Sequence, residues 1–218
     1  MSRKDQLTID PDPFTDNEFP PGMIIEDETG LSNLTFAQLL LSDMLKKYPS
    51  IPVAIADTGH WLGWVAGHWP HVKSEHFKGG PRNPSGLPHR FLWNRAEADQ
   101  ADSGPGPEGL RSLVTELLSW DHQHHRPTAI VYPQILVVQE PSLAEWAILN
   151  EVGPSAINER LAIIAITQGL PDNEAIGAVR TTLPILVAFR ERAEFLIQTS
   201  QGLYHGALPE DGLDDPDP

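Results

Sequence analysis

Between Gly79 and Gly109 the chain is interrupted so often by Gly and Pro that no long helix and no interior strand can cross it. The breakers fall at Gly79-Gly80-Pro81, Asn83-Pro84-Ser85-Gly86, Leu87-Pro88 and Ser103-Gly-Pro-Gly-Pro-Glu-Gly109. Gly carries the largest backbone entropy cost, and Pro lacks the N–H that helices and sheet ladders use. Only Phe91-Leu-Trp93 is apolar within this stretch. Loops of this length are functional or disordered, so 79–109 reads as an arm that reaches a neighbouring molecule.

The flanks must then supply the fold. Ser32 or Asn33 can cap a helix running to Lys47, with Leu34, Phe36, Leu40, Leu41, Met44 and Leu45 on its apolar face. Ile51–Ala56 and Trp61–Ala66, separated by the turn signal Asp57-Thr-Gly59, read as a hairpin. Leu110, Leu113, Val114, Leu117 and Leu118 mark an amphipathic helix over 110–120. Thr128–Gln139 is strand-like, with Pro133 suggesting an edge or a bulge. Ser142-Leu-Ala-Glu145 fits a capping box for a short helix to Asn150. Arg160–Thr167 reads as a strand from its β-branched content, with a helix as the alternative. Asp172 would cap a long helix through Ile176, Val179, Leu183, Leu186, Val187 and Leu196, kinked at Pro184. These elements predict an α+β fold: a small mixed or antiparallel sheet, three to four packing helices, a long Pro/Gly-rich arm and extended acidic tails.

Charge divides the chain further. Of the net −15, residues 1–30 carry −6, residues 206–218 carry −5, and 31–205 only −4. The expected organisation is an acidic N-terminal arm over 1–30, one domain over 31–205 and an acidic tail over 206–218. A body this mildly acidic is not a DNA mimic. The tails either stay solvated or dock on a basic partner surface. No cysteine is present, which removes disulfides, Cys-ligated zinc and a thiol nucleophile. No apolar run of about 18 residues and no secretory h-region occur, so a cytoplasmic protein, or one assembled into a virion, without membrane contact is expected.

Chemistry-bearing residues cluster over 57–95, where five His and four Trp accompany Lys73, Lys78, Arg82, Arg90 and Arg95. Trp and Arg are enriched at interface hot spots, so Trp61, Trp64, Trp69, Arg82, Arg90 and Trp93 are the interface candidates. A metal reading would use Asp57, His60, His68 and His71, with His122 or His124, although no HExxH is present and Pro70 breaks a helical His68–His71 pair. Basic residues among aromatics also suit single-stranded nucleic acid, but the acidic tails oppose a polyanion and disfavour that partner. Gly104–Gly109 matches GxGxxG by letters alone, since its prolines remove the N–H groups a phosphate needs. Neither GxxxxGK[ST] nor GxSxG occurs. No cofactor is implied. The expected function is a non-enzymatic structural or interaction subunit of a larger assembly, of the virion or phage head, neck or tail kind, contacting other protein subunits as a homo- or hetero-oligomer. A metal-dependent hydrolase is the alternative, and an acidic inhibitor or immunity protein the third reading.

Overall fold

A computed structural model of the chain describes residues 8–10, 22–30, 32–47, 53–57, 60–68, 90–94, 109–117 apart from 112 and 116, 134–158, 161–170, 183, 185–190 and 193–209. Among them nine strands form one sheet, in the order β1-β9-β8-β7-β2-β6-β5-β3-β4. They are β1 (Thr8–Asp10), β2 (Gly22–Glu26), β3 (Val53–Asp57), β4 (Arg90–Asn94), β5 (Gln134–Gln139), β6 (Leu161–Thr167), β7 (Ile185–Phe189), β8 (Glu194–Gln198) and β9 (Leu203–Ala207). The six strands from β7 to β4 are parallel, while β8, β9 and β1 add an antiparallel extension. The class is mixed α/β, and the sheet is larger and more parallel than the small one expected.

Helices cover both faces. On one, Phe36, Leu40 and Leu41 of α1 (Ser32–Lys47) and Val65 of α2 (Leu62–His68) pack with Met23, Ile25, Ile55 and Val137. On the other, Leu110, Leu113 and Leu117 join Trp146 and Leu149 of α3 (Leu143–Asn158) against Ile24, Ala54, Leu136 and Ile163. Alternate residues of one strand thus enter opposite cores, which is why β5 and β6 read as unbroken apolar runs.

The capping box expected from sequence at 142–145 is present, while at α1 the first helical N–H, that of Ser32, is accepted by Asp27 Oδ2. Helix α1 spans Ser32–Lys47. At α3 the Glu145 carboxylate accepts the Ser142 N–H at 2.8 Å, and the Glu145 N–H donates to Ser142 Oγ at 3.3 Å. This helix runs on to Asn158, past the expected end at Asn150. The strand reading of 160–167 is the correct one.

Other expectations are corrected. The second strand of the proposed hairpin is helix α2, because Trp61 and Val65 lie one helical turn apart and both turn inward; Val65 N–H donates to Trp61 O at 2.8 Å. Phe91-Leu-Trp93 is not an isolated piece of arm, since it lies in strand β4, paired with β3. The long helix over 172–202 is replaced from Ile185 onward by β7, β8 and β9. Buried Phe195 and Ile197 alternate with exposed Glu194 and Gln198, a period of two that the helical spacing of Leu183, Val187 and Leu196 obscured. Residues 22–26, read as arm, are a central strand whose Met23, Ile24 and Ile25 are fully buried. Gly206 and Ala207, read as tail, end β9, and Leu208 beyond them is buried.

Candidate functional site

Strand β2 lies between β6 and β7, where the chain changes direction of growth: β3, β4, β5 and β6 build on one side and β7 on the other. Ligands of open α/β sheets bind beyond the carboxyl ends of the strands at such a reversal. Three loops meet there. They follow β2 (Asp27–Gly30), β5 (from Glu140) and β6 (Gln168–Leu170).

The β2 loop is organised by Asp27, which is 4% exposed. Its Oδ1 accepts the Thr29 N–H at 2.9 Å and the Thr29 hydroxyl at 2.7 Å, while Oδ2 accepts the Ser32 N–H at 2.7 Å. Burial pushes the carboxyl pKa up. The hydrogen bonds from the Thr29 hydroxyl and the backbone of Ser32, Thr29 and Asn33 more than offset this and hold it below the usual carboxylate value. Asp27 O accepts the Gly30 N–H at 2.9 Å, closing the turn. Gly30 has φ +71°, and a Cβ there would meet Gln168 Nε2 at 2.4 Å. The loop therefore rests on the residue that follows β6.

The β6 tip is tied to both neighbours. Thr167 O accepts the Asp27 N–H and the Asn33 Nδ2–H, each at 3.1 Å. Thr167 Oγ1 contacts Gly169 O at 2.9 Å and reaches Glu140 Oε2 at 3.5 Å. Leu170 N–H donates to Glu26 Oε1 at 3.2 Å. Glu140 itself has φ +47°, a left-handed conformation that costs a non-glycine residue about 1 kcal/mol or more, and its N–H prolongs the ladder to Ile166 O at 2.7 Å. Before it, Gln139 is 6% exposed; its Nε2 lies 3.2 Å from His60 Nδ1, and its buried Oε1 has no partner among the described residues. Glu26, Asp27 and Glu140 thus gather at one end of the sheet, and segments 22–34, 139–145 and 166–170 contain no Lys or Arg.

The sequence candidates lie elsewhere. Trp61 is fully buried and packs edge-on against Trp64 at 5.3 Å; half-buried Trp64 donates its Nε1–H to Ser42 Oγ at 3.2 Å. His60 is exposed beside Gln139. In register, Arg90 stands opposite Val53, Trp93 opposite Ala56, and Asp57 opposite Asn94. Trp69, Arg82, His71, His122 and His124 lie outside the described residues, as do the side chains of Asp57, His68, Arg90 and Trp93. Among the described residues no three His, Cys, Asp or Glu side chains form a metal-holding group. No helix among them is long and apolar enough to cross a membrane. Asp27, Thr29, Gly30, Ser32, Asn33 and Glu140 were missed as site residues. Their signal was an apolar run, a Thr-Gly turn and a helix cap in succession, hidden inside an acidic stretch.

No family model matches the sequence, and no curated protein matches it in sequence. The fold does have likenesses. It is similar to the cytoplasmic domain of the type VII secretion ATPase EccC of Thermomonospora curvata, with a TM-score of 0.57 and 10% identity over 86% of this chain. It is similar to B204, the DNA-packaging ATPase of Sulfolobus turreted icosahedral virus, with a TM-score of 0.56 and 13% identity over 87% of this chain and 98% of that one. It also resembles the conjugation coupling protein TcpA of pCW3, solved with ATPγS, with a TM-score of 0.52 and 13% identity over 96% of this chain and 68% of that one. The likeness lies in the fold. The chain spans 25% of the EccC cytoplasmic domain and 36% of a second EccC structure, comprising ATPases 2 and 3. The expected non-enzymatic structural subunit of a virion or phage particle is overturned by this likeness, which points to NTPase motors. Nor is the exclusion of nucleic acid supported, since two of the similar proteins are named for DNA packaging and conjugation.

Proposed function

We propose that this chain is a module of a P-loop NTPase motor that works beside other such modules on a polymer, either polypeptide or nucleic acid. One observation carries the reading. At the carboxyl end of a central parallel strand, residues 27–30 lead from β2 toward α1, which begins at Ser32, and Glu140 stands at the tip of β5 two strands away. That is the place of GxxxxGK[ST], and a strand-end acid next to it is the group that handles metal or water in phosphoryl transfer.

The residues present do not fit a magnesium nucleotide. In that eight-residue spacing Asp27 stands for the first Gly, Ser32 for the second, Asn33 for the Lys and Leu34 for the metal-binding hydroxyl. Gln139, which precedes Glu140, offers an amide where a metal-holding carboxylate would stand. At the tips of β5 and β6 the chain contributes a carboxylate, Glu140, and a polar contact, Thr167, while the described cation at this end of the sheet, Arg190, follows β7 beside β2 and not the loop position of the Lys. In this reading turnover takes place at the sites of neighbouring modules.

Rebuilding the pattern tests this. A chain carrying Asp27→Gly, Ser32→Gly, Asn33→Lys, Leu34→Thr and Gln139→Asp is expected to bind and hydrolyse MgATP. Adding Glu140→Gln should abolish turnover and leave binding intact. A folded rebuilt chain with no hydrolysis above background would overturn the reading.

A further inference from the structure

We propose that the Asp27 carboxylate is a resident anion, seated where a nucleotide phosphate would lie, and that it keeps the β2–α1 loop of this chain shut to phosphate ligands. The inference rests on the motor-module reading and concerns the same loop.

A phosphate-binding loop works by converging backbone N–H donors at a helix N-terminus on one anion. Here those donors are already spent. Thr29 N–H, Ser32 N–H and the Thr29 hydroxyl all donate to Asp27 at 2.7–2.9 Å. The acceptor is buried and covalently part of the loop, so its effective concentration is fixed and it cannot diffuse away. A free phosphate entering the same place would lose those donors and meet a full negative charge only a few ångströms away. It would find no ammonium at the Lys position, where Asn33 stands with its Nδ2–H turned to Thr167 O at 3.1 Å. The position of the acid is specific: the spacing that cradles phosphate requires Gly there, where no side chain can reach back into the loop.

Two further observations fit a loop that is complete without ligand. Gly30 N–H closes the turn on Asp27 O at 2.9 Å, and Asp27 N–H closes it on β6 through Thr167 O. Both of the Asp27 main-chain polar groups and both of its carboxylate oxygens therefore have partners inside the protein.

Calorimetric titration of the full chain with pyrophosphate and with MgATP tests the idea in four proteins: wild type, Asn33→Lys, Asp27→Gly/Asn33→Lys and Asp27→Asn/Asn33→Lys. The wild type should show no binding at millimolar ligand. Asn33→Lys alone should remain weak, because the new ammonium is neutralised by Asp27. Removing the carboxylate as well should tighten pyrophosphate binding at least about 10-fold, since an opposing charge a few ångströms away is worth that or more at an interior effective dielectric. The Asn variant keeps a side-chain acceptor, so it reports on charge even where the Gly variant fails to fold. Binding by the wild type would overturn the proposal. Equal affinity of Asn33→Lys and the two double variants, absence of binding in all three included, would overturn it too. Tight binding by a double variant alongside a rebuilt chain that cannot hydrolyse ATP would instead sink the motor reading and leave the resident anion standing.

Discussion

Asn33, in the first turn of α1, donates its side-chain Nδ2–H to the main-chain oxygen of Thr167 at 3.1 Å, joining segments 134 residues apart in sequence. The same oxygen accepts the Asp27 N–H at 3.1 Å. Replacing Asn33 with Leu removes one of two donors and leaves the carbonyl paired. Asn33 Oδ1 also accepts the Leu34 N–H at 2.6 Å, so two hydrogen bonds are lost and the expected cost is about 2 kcal/mol. Urea denaturation of wild type and Asn33→Leu measures it.

Asp27 makes stability depend on acid. Its folded pKa lies below the unfolded carboxylate value, so its contribution is fully present above about pH 4 and is lost as pH falls through the folded pKa. Asp27→Asn should accordingly lower Tm at pH 7, with the gap to wild type closing as the pH approaches 2. A Tm difference that stays constant from pH 7 to 2 would show that Asp27 is not held as an anion.

Gly30 is required for its backbone. At φ +71° an L side chain is strained, and the added Cβ would meet the Gln168 amide at 2.4 Å. Gln168 is exposed and can swing aside, so Gly30→Ala should cost about 1 kcal/mol, mostly from backbone conformation. Chemical denaturation gives the value, and the Gln168 side-chain amide resonances should shift.

Two apolar residues of α3 should behave in opposite ways. Trp146 is 1% exposed and fills the core beneath β5 and β6, whereas Leu143 is 60% exposed. Trp146→Ala should cost about 3–5 kcal/mol through lost transfer energy and the cavity left behind. Leu143→Ala should fall within about 0.5 kcal/mol of wild type. Paired denaturation curves decide both.

Local signals were legible wherever the stabilising partners sit close in sequence. The Ser142–Glu145 box that opens α3 was legible because its bonds span three residues, whereas the first N–H of α1, that of Ser32, is held by Asp27 five residues earlier. β-branched content identified β6. By contrast, Leu183, Val187 and Leu196 satisfied helical and strand spacing alike, and only pairing of β7 with β2 and with β8 decided between them. Trp61–Ala66 had the composition of a strand and became α2 because Trp61 and Val65 face the core one turn apart.

The site was out of reach for a related reason. Its parts are Asp27, Glu140 and Thr167, short polar residues at the ends of apolar runs, each ordinary by itself. The chain alone specified the apolar runs, the Ser142–Glu145 capping box and the lack of GxxxxGK[ST], since these depend on residue type and near-neighbour spacing. Which strand lies beside which was decided only by the folded sheet. Strands buried on both faces carry no period that ranks one neighbour over another, and the bonds that join Asp27 and Asn33 to Thr167 exist only once β2 and β6 are side by side.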